Sequence, residues 1–449
     1  MSLTPINDFI EAYRQSGTLR AHMPGHKGLG IPGAEADITE IAGADELYAA
    51  DGIIRRSEEI AARLFGAHRT LFSAEGSSLS IRAMLYLLLL RAKAEGRRER
   101  YTLLAARNAH ASLISAAALL DLDIEWLYGE NAGLLSAPVD PRALDERLAE
   151  MEEAGEKPIA VYITSPDYLG RIQDIRDIAL VCHWHGVLLA VDNAHGAYLR
   201  FLENDLHPLS LGADICCDSA HKTLPCLTGA GYLHISRYAP FLAENAERAM
   251  ALFASTSPSY LILASLDRAN EYLSRGLPEA LAALAKGLDA LKERLAAKGF
   301  SLVGDEKTKL TLAPKGYGYT GLGLASLLRE SGIECEAADP DHTVLMLAPA
   351  TGEEGLRRIE AALLSAPKRA PIAEPPPPLP RPERLMSIRE AVLAPQKRVP
   401  LEKALGRVVG SDHCGCPPAV PIVTAGERID EAALACMKYY GFTHCFVLE

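Results

Sequence analysis

Short apolar segments recur at regular intervals between residues 101 and 218. Their apolar character is continuous rather than alternating, which is typical of strands that are covered on both faces. Helical patterns separate them, for example at residues 109–120 and 141–151. The alternation predicts a doubly wound, largely parallel sheet and therefore an α/β fold. The predicted strands are 101–106, 124–128, 159–164, 187–192 and 213–218.

Polar residues that follow these strands are the first candidates for a functional site. Ligands of doubly wound sheets bind beyond the carboxyl ends of the strands. The side chains at such positions are His110, Ser165, Asp167, Asp192, His195, Ser219, His221 and Lys222. Together they supply the amine, carboxylate, hydroxyl and imidazole groups that an active site uses.

The pattern changes after Ile235, where the series of strands stops. A long helical stretch follows, and its leucines recur at helical spacing, which indicates a core face. Two strands at 309–314 and 342–348 predict a smaller α/β domain, and the prolines of 372–382 predict a semi-rigid linker. The predicted domains are an N-terminal arm (1–56), a large domain (57–255), a small α/β domain (256–370), a linker (371–383) and a C-terminal domain (384–449).

Composition and charge narrow the classes of function. The 449 residues are 49% hydrophobic and 23% charged, as expected for a well-packed protein of two or three domains. A formal net charge of −12 disfavours nucleic acid as a partner, since phosphate binding depends on clustered lysine and arginine. No apolar run has the length of a membrane span and no targeting signal is recognised. We therefore expect a cytoplasmic protein that acts on a small molecule.

The nine cysteines are expected to be reduced. Adjacent Cys216 and Cys217 lie in an apolar, strand-like run and are interpreted as small hydrophobic residues. His413, Cys414 and Cys416 resemble a metal-binding group, but no second Cys or His pair follows at zinc-finger spacing. The sequence therefore predicts no metal site.

Lys222 is the candidate for covalent attachment of a carbonyl cofactor. An amine that attacks an aldehyde must be neutral, and burial lowers the pKa of a lysine by disfavouring the charged form. The segment DSAHKTLPCLTG (218–229) surrounds Lys222 with apolar residues and uncharged donors. The alternative interpretation is a lysine in a surface loop, and partners elsewhere in the chain decide between the two.

Pyridoxal phosphate is the cofactor whose requirements these residues match. Lys222 would bind its aldehyde, and Asp192 would keep the ring nitrogen protonated so that the ring accepts electrons. His110 is placed to stack on the ring. Taken singly, Asp192 could instead be a turn residue and His110 a helix cap. The phosphate needs a Gly-Ser turn at a helix start and further donors, which are offered by Ser77, Ser78, Ser219 and His221.

Four segments in this order resemble the short form of the prokaryotic Orn/Lys/Arg decarboxylase family. They are HMPGHKG (22–28), VDNAHGAYLRF (191–201), DSAHKTLPCLTG (218–229) and STSPSYLILASLD (255–267). The resemblance extends over nearly the whole chain, including the proline-rich junction and the segment CPPAVPIVTAGERI (416–429). It implies an aspartate-aminotransferase-like fold (fold type I): a three-layer domain with a mostly parallel sheet, a smaller α/β domain and a C-terminal domain.

The resemblance also implies roles for individual residues. Lys222 would bind pyridoxal 5'-phosphate covalently, Asp192 would pair with the ring nitrogen, and His110 and Ala194 would cover the two faces of the ring. Phosphate contacts are implied for Ser77, Ser78, Ser219 and His221, and we also expect His195 at the cofactor. The family implies a homodimer with a shared active site, or a higher oligomer, in which Thr256 reaches the phosphate of the partner.

Three positions depart from the family pattern. The usual Gly-Ser-Thr turn is Gly76-Ser77-Ser78 here, which keeps a hydroxyl. Where members commonly carry His-Lys-Ser, this chain has His110-Ala111-Ser112. Where Leu-Thr-Gln is frequent, it has Leu227-Thr228-Gly229. These two changes remove an ammonium and an amide group near the expected cofactor, so the family pattern does not define the substrate pocket of this chain.

The predicted reaction is decarboxylation of a basic amino acid to a polyamine-pathway amine, with arginine favoured over lysine and ornithine. Protonation of the α-carbon is assigned to His221 or Lys222. The acidic candidates for the distal cation of the substrate are Asp167 and Glu427, with Asp45 and Glu46 as further candidates.

Two other functions stay open at this point. A fold type I aminotransferase would need an arginine for the α-carboxylate after the lysine, and only Arg237 and Arg268 stand out. A non-catalytic regulator that binds pyridoxal phosphate would show the absorbance of the cofactor without releasing carbon dioxide.

Overall fold

The computed structural model describes residues 2–97, 101–130, 132–411 and 419–449. The chain forms two compact units. The first consists of residues 1–99, 159–162 and 175–279, and the second of residues 100–158, 163–174 and 280–449. The division into five domains stays a prediction.

Helices make up most of the regular structure. They are α1 (Pro5–Gln15), α2 (Ile53–Phe65), α3 (Gly76–Ala94), α4 (Ala111–Leu120), α5 (Pro141–Glu153), α6 (Ile175–Trp184), α7 (Pro208–Leu211), α8 (Ala220–Thr223), α9 (Ala246–Phe253), α10 (Tyr260–Arg275), α11 (Leu277–Lys298), α12 (Gly321–Glu330), α13 (Gly352–Ser365), α14 (Ile388–Leu393) and α15 (Glu431–Tyr439).

The strands form three sheets. They are β1 (Arg69–Ser73), β2 (Thr102–Ala106), β3 (Asp123–Leu127), β4 (Ala160–Thr164), β5 (Leu188–Asp192), β6 (Ile215–Asp218), β7 (Gly231–Ile235), β8 (Ser301–Val303), β9 (Lys309–Ala313), β10 (Ala337–Ala338), β11 (Thr343–Met346), β12 (Gln396–Pro400), β13 (Val409–Ser411) and β14 (His444–Leu448). The largest sheet has the order β1-β7-β6-β5-β4-β2-β3, and the smaller sheets have the orders β10-β11-β9-β8 and β12-β14-β13.

In the first unit, β6 pairs in parallel with β5 and antiparallel with β7, which in turn pairs antiparallel with β1. All residues of β1, β6 and β7 are buried, because helices such as α3 pack against this part of the sheet. The continuous apolar pattern of the sequence is explained by this coverage on both faces. Consequently the residues after β5 and β6 are the candidates for contact with a ligand.

The second unit contains two antiparallel sheets and the parallel pair of β2 and β3. The leucines predicted to form a core face do so on α11, where they pack with apolar residues of β9, α12 and α13. A second apolar cluster surrounds β14 and α15. The proline-rich segment 372–382 has no regular secondary structure, as expected for a linker.

The predicted α/β architecture is confirmed. Each of the five predicted strands is present, as β2 to β6, and each bound differs by at most two residues. The antiparallel direction of β7 was not predicted, nor were β12 and β13. The predicted N-terminal arm contains α1, which buries Ile6 and Ile10 and packs against α2 and α10.

No helix within the described ranges combines the length and apolar character that crossing a bilayer requires.

Candidate active site

Lys222 lies on the short helix α8, which begins two residues after β6 ends. Its Nζ atom is 3.1 Å from Nε2 of His195, which follows β5. His195 is almost fully buried and Lys222 is partly buried. The lysine therefore lies at the carboxyl end of the sheet within hydrogen-bonding distance of an imidazole, and the surface-loop interpretation does not hold.

Hydroxyl groups converge at the N-terminus of α3. Oγ of Ser219 donates a hydrogen bond to Oγ of Ser77 at 2.8 Å, and Ser78 is the next residue of the same helical turn. Gly76 has a φ of +67°, and its N–H donates to the carbonyl of Gly229 at 2.6 Å. The start of a 19-residue helix, with its N-terminal dipole, makes this turn a candidate anion-binding site.

His221 borders the same turn. A Cβ atom added to Gly76 would lie 3.7 Å from Cε1 of His221. Nδ1 of His221 lies 2.8 Å from the carbonyl of Ala230. A carbonyl only accepts, so Nδ1 carries the proton and, in the neutral ring, Nε2 is the acceptor.

Asp192 is the last residue of β5 and is buried. Its Oδ1 accepts from the backbone N–H of Ala194 at 3.1 Å, and its Oδ2 accepts from the hydroxyl of Tyr162 at 3.1 Å. Sγ of Cys217 lies 3.7 Å from Oδ1. A carboxylate at the carboxyl end of a strand is thereby oriented by three donors.

These residues fit pyridoxal phosphate. Lys222 supplies an amine, the Ser77–Ser219 pair and the start of α3 supply phosphate donors, and Asp192 supplies a carboxylate. Two oxygens of a carboxylate offer about four acceptor positions, and three donors lie at Asp192 in the first unit. One acceptor position is thus left for a ring N–H.

Thr256 is exposed in the segment between α9 and α10. The neighbouring Ser255 donates its backbone N–H to Oε1 of Glu75 at 2.7 Å, next to the start of α3. This hydrogen bond holds the segment near the phosphate candidates. The expected contact of Thr256 with a partner's phosphate stays a prediction.

His110, in the second unit, is the N-cap of α4. Its Nδ1 accepts from the backbone N–H of Ser112 at 3.1 Å and lies 2.9 Å from the hydroxyl of the same residue. The helix-cap interpretation is therefore correct. The capping contacts involve only Nδ1 and do not test whether the ring face contacts a cofactor. The expected stacking on the cofactor therefore stays a prediction.

The acidic candidates for the substrate differ in their surroundings. Glu427 accepts the N–H of Thr424 at 2.7 Å and lies 3.6 Å from the buried guanidinium of Arg107. Asp167 accepts the N–H of Arg171 at 2.9 Å, and burial raises the pKa of both carboxyls. Asp45 accepts backbone N–H groups of residues 51–55 at the start of α2, whereas Glu46 is exposed. Asp45, Asp167 and Glu427 thus all have structural partners, and the assignment of a substrate carboxylate stays a prediction.

A buried network behind the site was not predicted. Oδ1 of Asp218 accepts from Nδ2 of Asn193 at 2.7 Å, and its Oδ2 lies 3.2 Å and 3.3 Å from Nε2 of His207 and His234. These partners of Asp218 and the partner of Asp192, Tyr162, were missed because each of them looks like an ordinary core residue in the sequence. A polar residue at the end of an apolar strand, such as Asp218 itself, was the available signal.

The His413, Cys414 and Cys416 group lies outside the described residues. Within them, ligand atoms of His207, Cys216 and Asp218 lie within 4.8 Å of one another, all fully buried. Asp218 is already bonded to Asn193. This cluster is accounted for by the polar network.

Comparison with known proteins gives one family. Residues 4–293 match the model of the Orn/Lys/Arg decarboxylase major domain. The Bacillus subtilis protein YaaO is 28% identical over 96% of this chain and 93% of its own length. The arginine decarboxylase of Halalkalibacterium halodurans is 28% identical over 97% of this chain and 93% of its own length.

Solved structures share the fold. The lysine decarboxylase of Francisella novicida superposes with a TM-score of 0.80 at 18% identity, covering 99% of this chain and 81% of its own. An alanine–glyoxylate aminotransferase from Nostoc sp. superposes with a TM-score of 0.54 at 15% identity, over 68% of this chain and 84% of its own. The chain therefore has the aspartate-aminotransferase-like fold, as the sequence implied.

Proposed function

The chain belongs to the Orn/Lys/Arg decarboxylase family and is a pyridoxal phosphate-dependent decarboxylase of basic amino acids, and we propose that arginine is its substrate. Arginine is favoured because the Halalkalibacterium halodurans relative, which matches nearly the whole chain, is named an arginine decarboxylase. Lysine and ornithine are the next candidates. The product would be an amine for polyamine synthesis.

One observation carries the decarboxylase chemistry: Lys222 Nζ lies 3.1 Å from His195 Nε2 at the carboxyl end of the sheet. The bound cofactor would supply an electron sink for the pair of electrons left when carbon dioxide departs. Lys222 would hold the cofactor, and Ser77, Ser78, Ser219 and His221 would hold its phosphate. Asp192 would keep the ring nitrogen protonated.

His195 can exchange a proton with Lys222, since a neutral imidazole both donates and accepts. We propose that this pair moves the proton that the α-carbon receives after decarboxylation. His221 is a weaker candidate than it was from sequence, because its Nδ1 is occupied by the Ala230 carbonyl. Its role is to border the phosphate turn. His110 and Ala194 would cover the ring.

A second copy of the chain is part of the proposal. Apolar side chains in the HMPGHKG region and beside it are exposed: Leu19, Met23, Leu29 and Ile31. Exposed apolar side chains grouped within residues 19–31 of the chain are a candidate interface. We propose a cytoplasmic homodimer in which this region and Thr256 meet the partner's active site.

The test is a reconstitution with pyridoxal phosphate followed by assays on arginine, lysine and ornithine. We expect release of carbon dioxide and the matching amine, fastest with arginine, and a visible absorbance band from the lysine-bound cofactor. Lys222→Ala should remove the band and lower kcat by at least about 1000-fold, since the nucleophile is lost. Lys286→Ala is the control, since Lys286 is an exposed lysine on α11 outside the proposed site, and this variant should keep the band.

Three results would contradict the proposal. A keto acid in place of the amine would make the protein an aminotransferase. Cofactor absorbance without carbon dioxide release would make it a regulator. Retention of both the band and activity in Lys222→Ala would place the reactive amine elsewhere.

A further inference from the structure

Asp192 receives donors from three different parts of the first unit. Tyr162 lies on β4, Cys217 on β6 and Ala194 two residues beyond Asp192. Asp192 and Cys217 are direct register partners in the parallel pair of β5 and β6, so their side chains lie on the same face. Cys216 pairs with Val191 and lies on the opposite face. The sheet register therefore explains why one cysteine of the adjacent pair approaches the carboxylate.

Tyr162 and Cys217 keep their protons beside this carboxylate. Burial, and after it the negative charge of Asp192, raises the pKa of the Tyr162 hydroxyl well above its usual value. The same two causes raise the pKa of the Cys217 thiol. Both groups can therefore only donate towards Asp192. A carboxylate that accepts several such bonds is stabilised in its charged form.

A proton shared by a carboxylate and a pyridine nitrogen stays on whichever of the two is the stronger base. A carboxylate that other donors hold in a fixed orientation at the ring nitrogen stabilises the protonated, charged ring. A protonated ring is the better electron sink. The hydroxyl and the thiol thus act on the reaction through Asp192, as outer partners act through a metal ligand.

We propose that Tyr162, with Cys217 as a weaker second donor, is the positioning residue that orients the Asp192 carboxylate and leaves one of its acceptor positions for the ring nitrogen of the cofactor. This inference rests on the proposed function. Tyr162 itself touches neither the cofactor nor the substrate in this role.

The chain offers matched controls for both donors. Tyr232 on β7 is also fully buried, and its hydroxyl has no hydrogen-bond partner in the part of the chain that the structure describes. Cys216 is fully buried next to Cys217 but lies on the other face of β6. Tyr232→Phe and Cys216→Ala therefore repeat the same chemical deletions away from Asp192.

The experiment compares Tyr162→Phe, Tyr232→Phe, Cys217→Ala and Cys216→Ala as reconstituted holoenzymes. A hydrogen bond to a charged group predicts that Tyr162→Phe lowers kcat by about 10- to 100-fold with KM little changed. A ring that holds its proton less firmly withdraws fewer electrons, so the nitrogen of the bound Lys222 becomes more basic. The pH midpoint of the cofactor absorbance should therefore rise by about one unit, equivalent to a tenfold change. Cys217→Ala should shift it less in the same direction, because a thiol is a weak donor.

The pH midpoint separates positioning from a general loss of packing. Equal midpoints for Tyr162→Phe and Tyr232→Phe, at equal urea stability, would overturn the inference. If Tyr162→Phe does not fold, the comparison of Cys217→Ala with Cys216→Ala decides, and equal midpoints there overturn it too. Failure of the proposed function is distinguishable, because the wild-type protein would then release no carbon dioxide.

Discussion

Asp218 shows how a single residue joins the fold to the site. Its carboxylate is fully buried, bonded to Asn193 and flanked by His207 and His234. Although burial by itself raises the pKa of Asp218, the two histidines hold it well below its usual range. The charged carboxylate immediately precedes Ser219 and lies four residues before Lys222. Loss of its charge should therefore lower the free energy of unfolding and disturb the neighbouring turn that is proposed to bind phosphate.

Asp218→Asn is expected to destabilise the protein by about 3–5 kcal/mol, because it leaves buried partners uncompensated. Urea denaturation measures the change. Because the pKa of Asp218 is lowered in the folded protein, its contribution to stability is fully present above the unfolded-state pKa of about 3.9. That contribution is lost only as the pH falls through the folded-state pKa. The difference should therefore persist from about pH 5 to pH 8.

Asp289→Asn is the control for this variant. Asp289 forms an exposed ion pair with Lys307 at 3.0 Å. Its loss should cost less than about 1 kcal/mol. Similar losses for the two variants would show that the buried network does not stabilise the fold.

At the scale of elements, the end of α6 is tied to the loop before β6. Nε2 of His183, in the last turn of α6, lies 3.0 Å from Oδ2 of Asp214, which also accepts the N–H of Leu189 at 2.8 Å. The hydrogen bond with Asp214 raises the pKa of His183, against the lowering effect of partial burial. A histidine at a helix C-terminus also interacts favourably with the helix dipole when it is charged.

The His183–Asp214 contact should make stability depend on pH. Because the pKa of His183 is raised in the folded protein, the contact's contribution to stability is fully present below the unfolded-state pKa of about 6.5. It is lost as the pH rises through the folded-state pKa. His183→Gln keeps a polar side chain without the charge. We expect its loss in Tm relative to wild type to be larger at about pH 5.5 than at about pH 8.5.

His68→Gln is the matched control, since His68 is an exposed histidine of the same unit. Its Tm difference from wild type should be the same at both pH values. A His183→Gln difference that does not vary with pH would show that the ion pair contributes nothing to stability.

At the scale of the whole molecule, the exposed apolar side chains of residues 19–31 predict a self-associating protein. Leu29 is 74% exposed and Ile31 is 60% exposed in this region, and exposed apolar side chains are candidates for burial at an interface. Sedimentation should give twice the 48.3 kDa mass of one chain. The double variant Leu29→Asp/Ile31→Asp should shift the protein to monomers and, if the active site is shared as proposed, lower its activity.

Leu405→Asp serves as the comparison, because Leu405 is also exposed but lies in the second unit near β13. This variant should stay dimeric. Monomeric wild-type protein, or dissociation by both variants alike, would contradict an interface formed by residues 19–31.

The sequence by itself determined the strands and the chain order of the site. Five strands were located within two residues, because a strand covered on both faces leaves a local apolar pattern. Lys222 and Asp192 were selected as site candidates because ligands of such sheets bind at the carboxyl ends of the strands. The position of His110 at a helix start was likewise predicted from the local sequence pattern.

Only the tertiary structure decided which side chains meet. The Tyr162–Asp192 and Cys217–Asp192 contacts join residues 30 and 25 positions apart, and the Asp218 network joins three elements. Such contacts depend on strand order and register, which an apolar pattern does not encode. The same reason explains why the antiparallel direction of β7 was missed, and why a cysteine interpreted as a small hydrophobic residue proved to lie against the carboxylate.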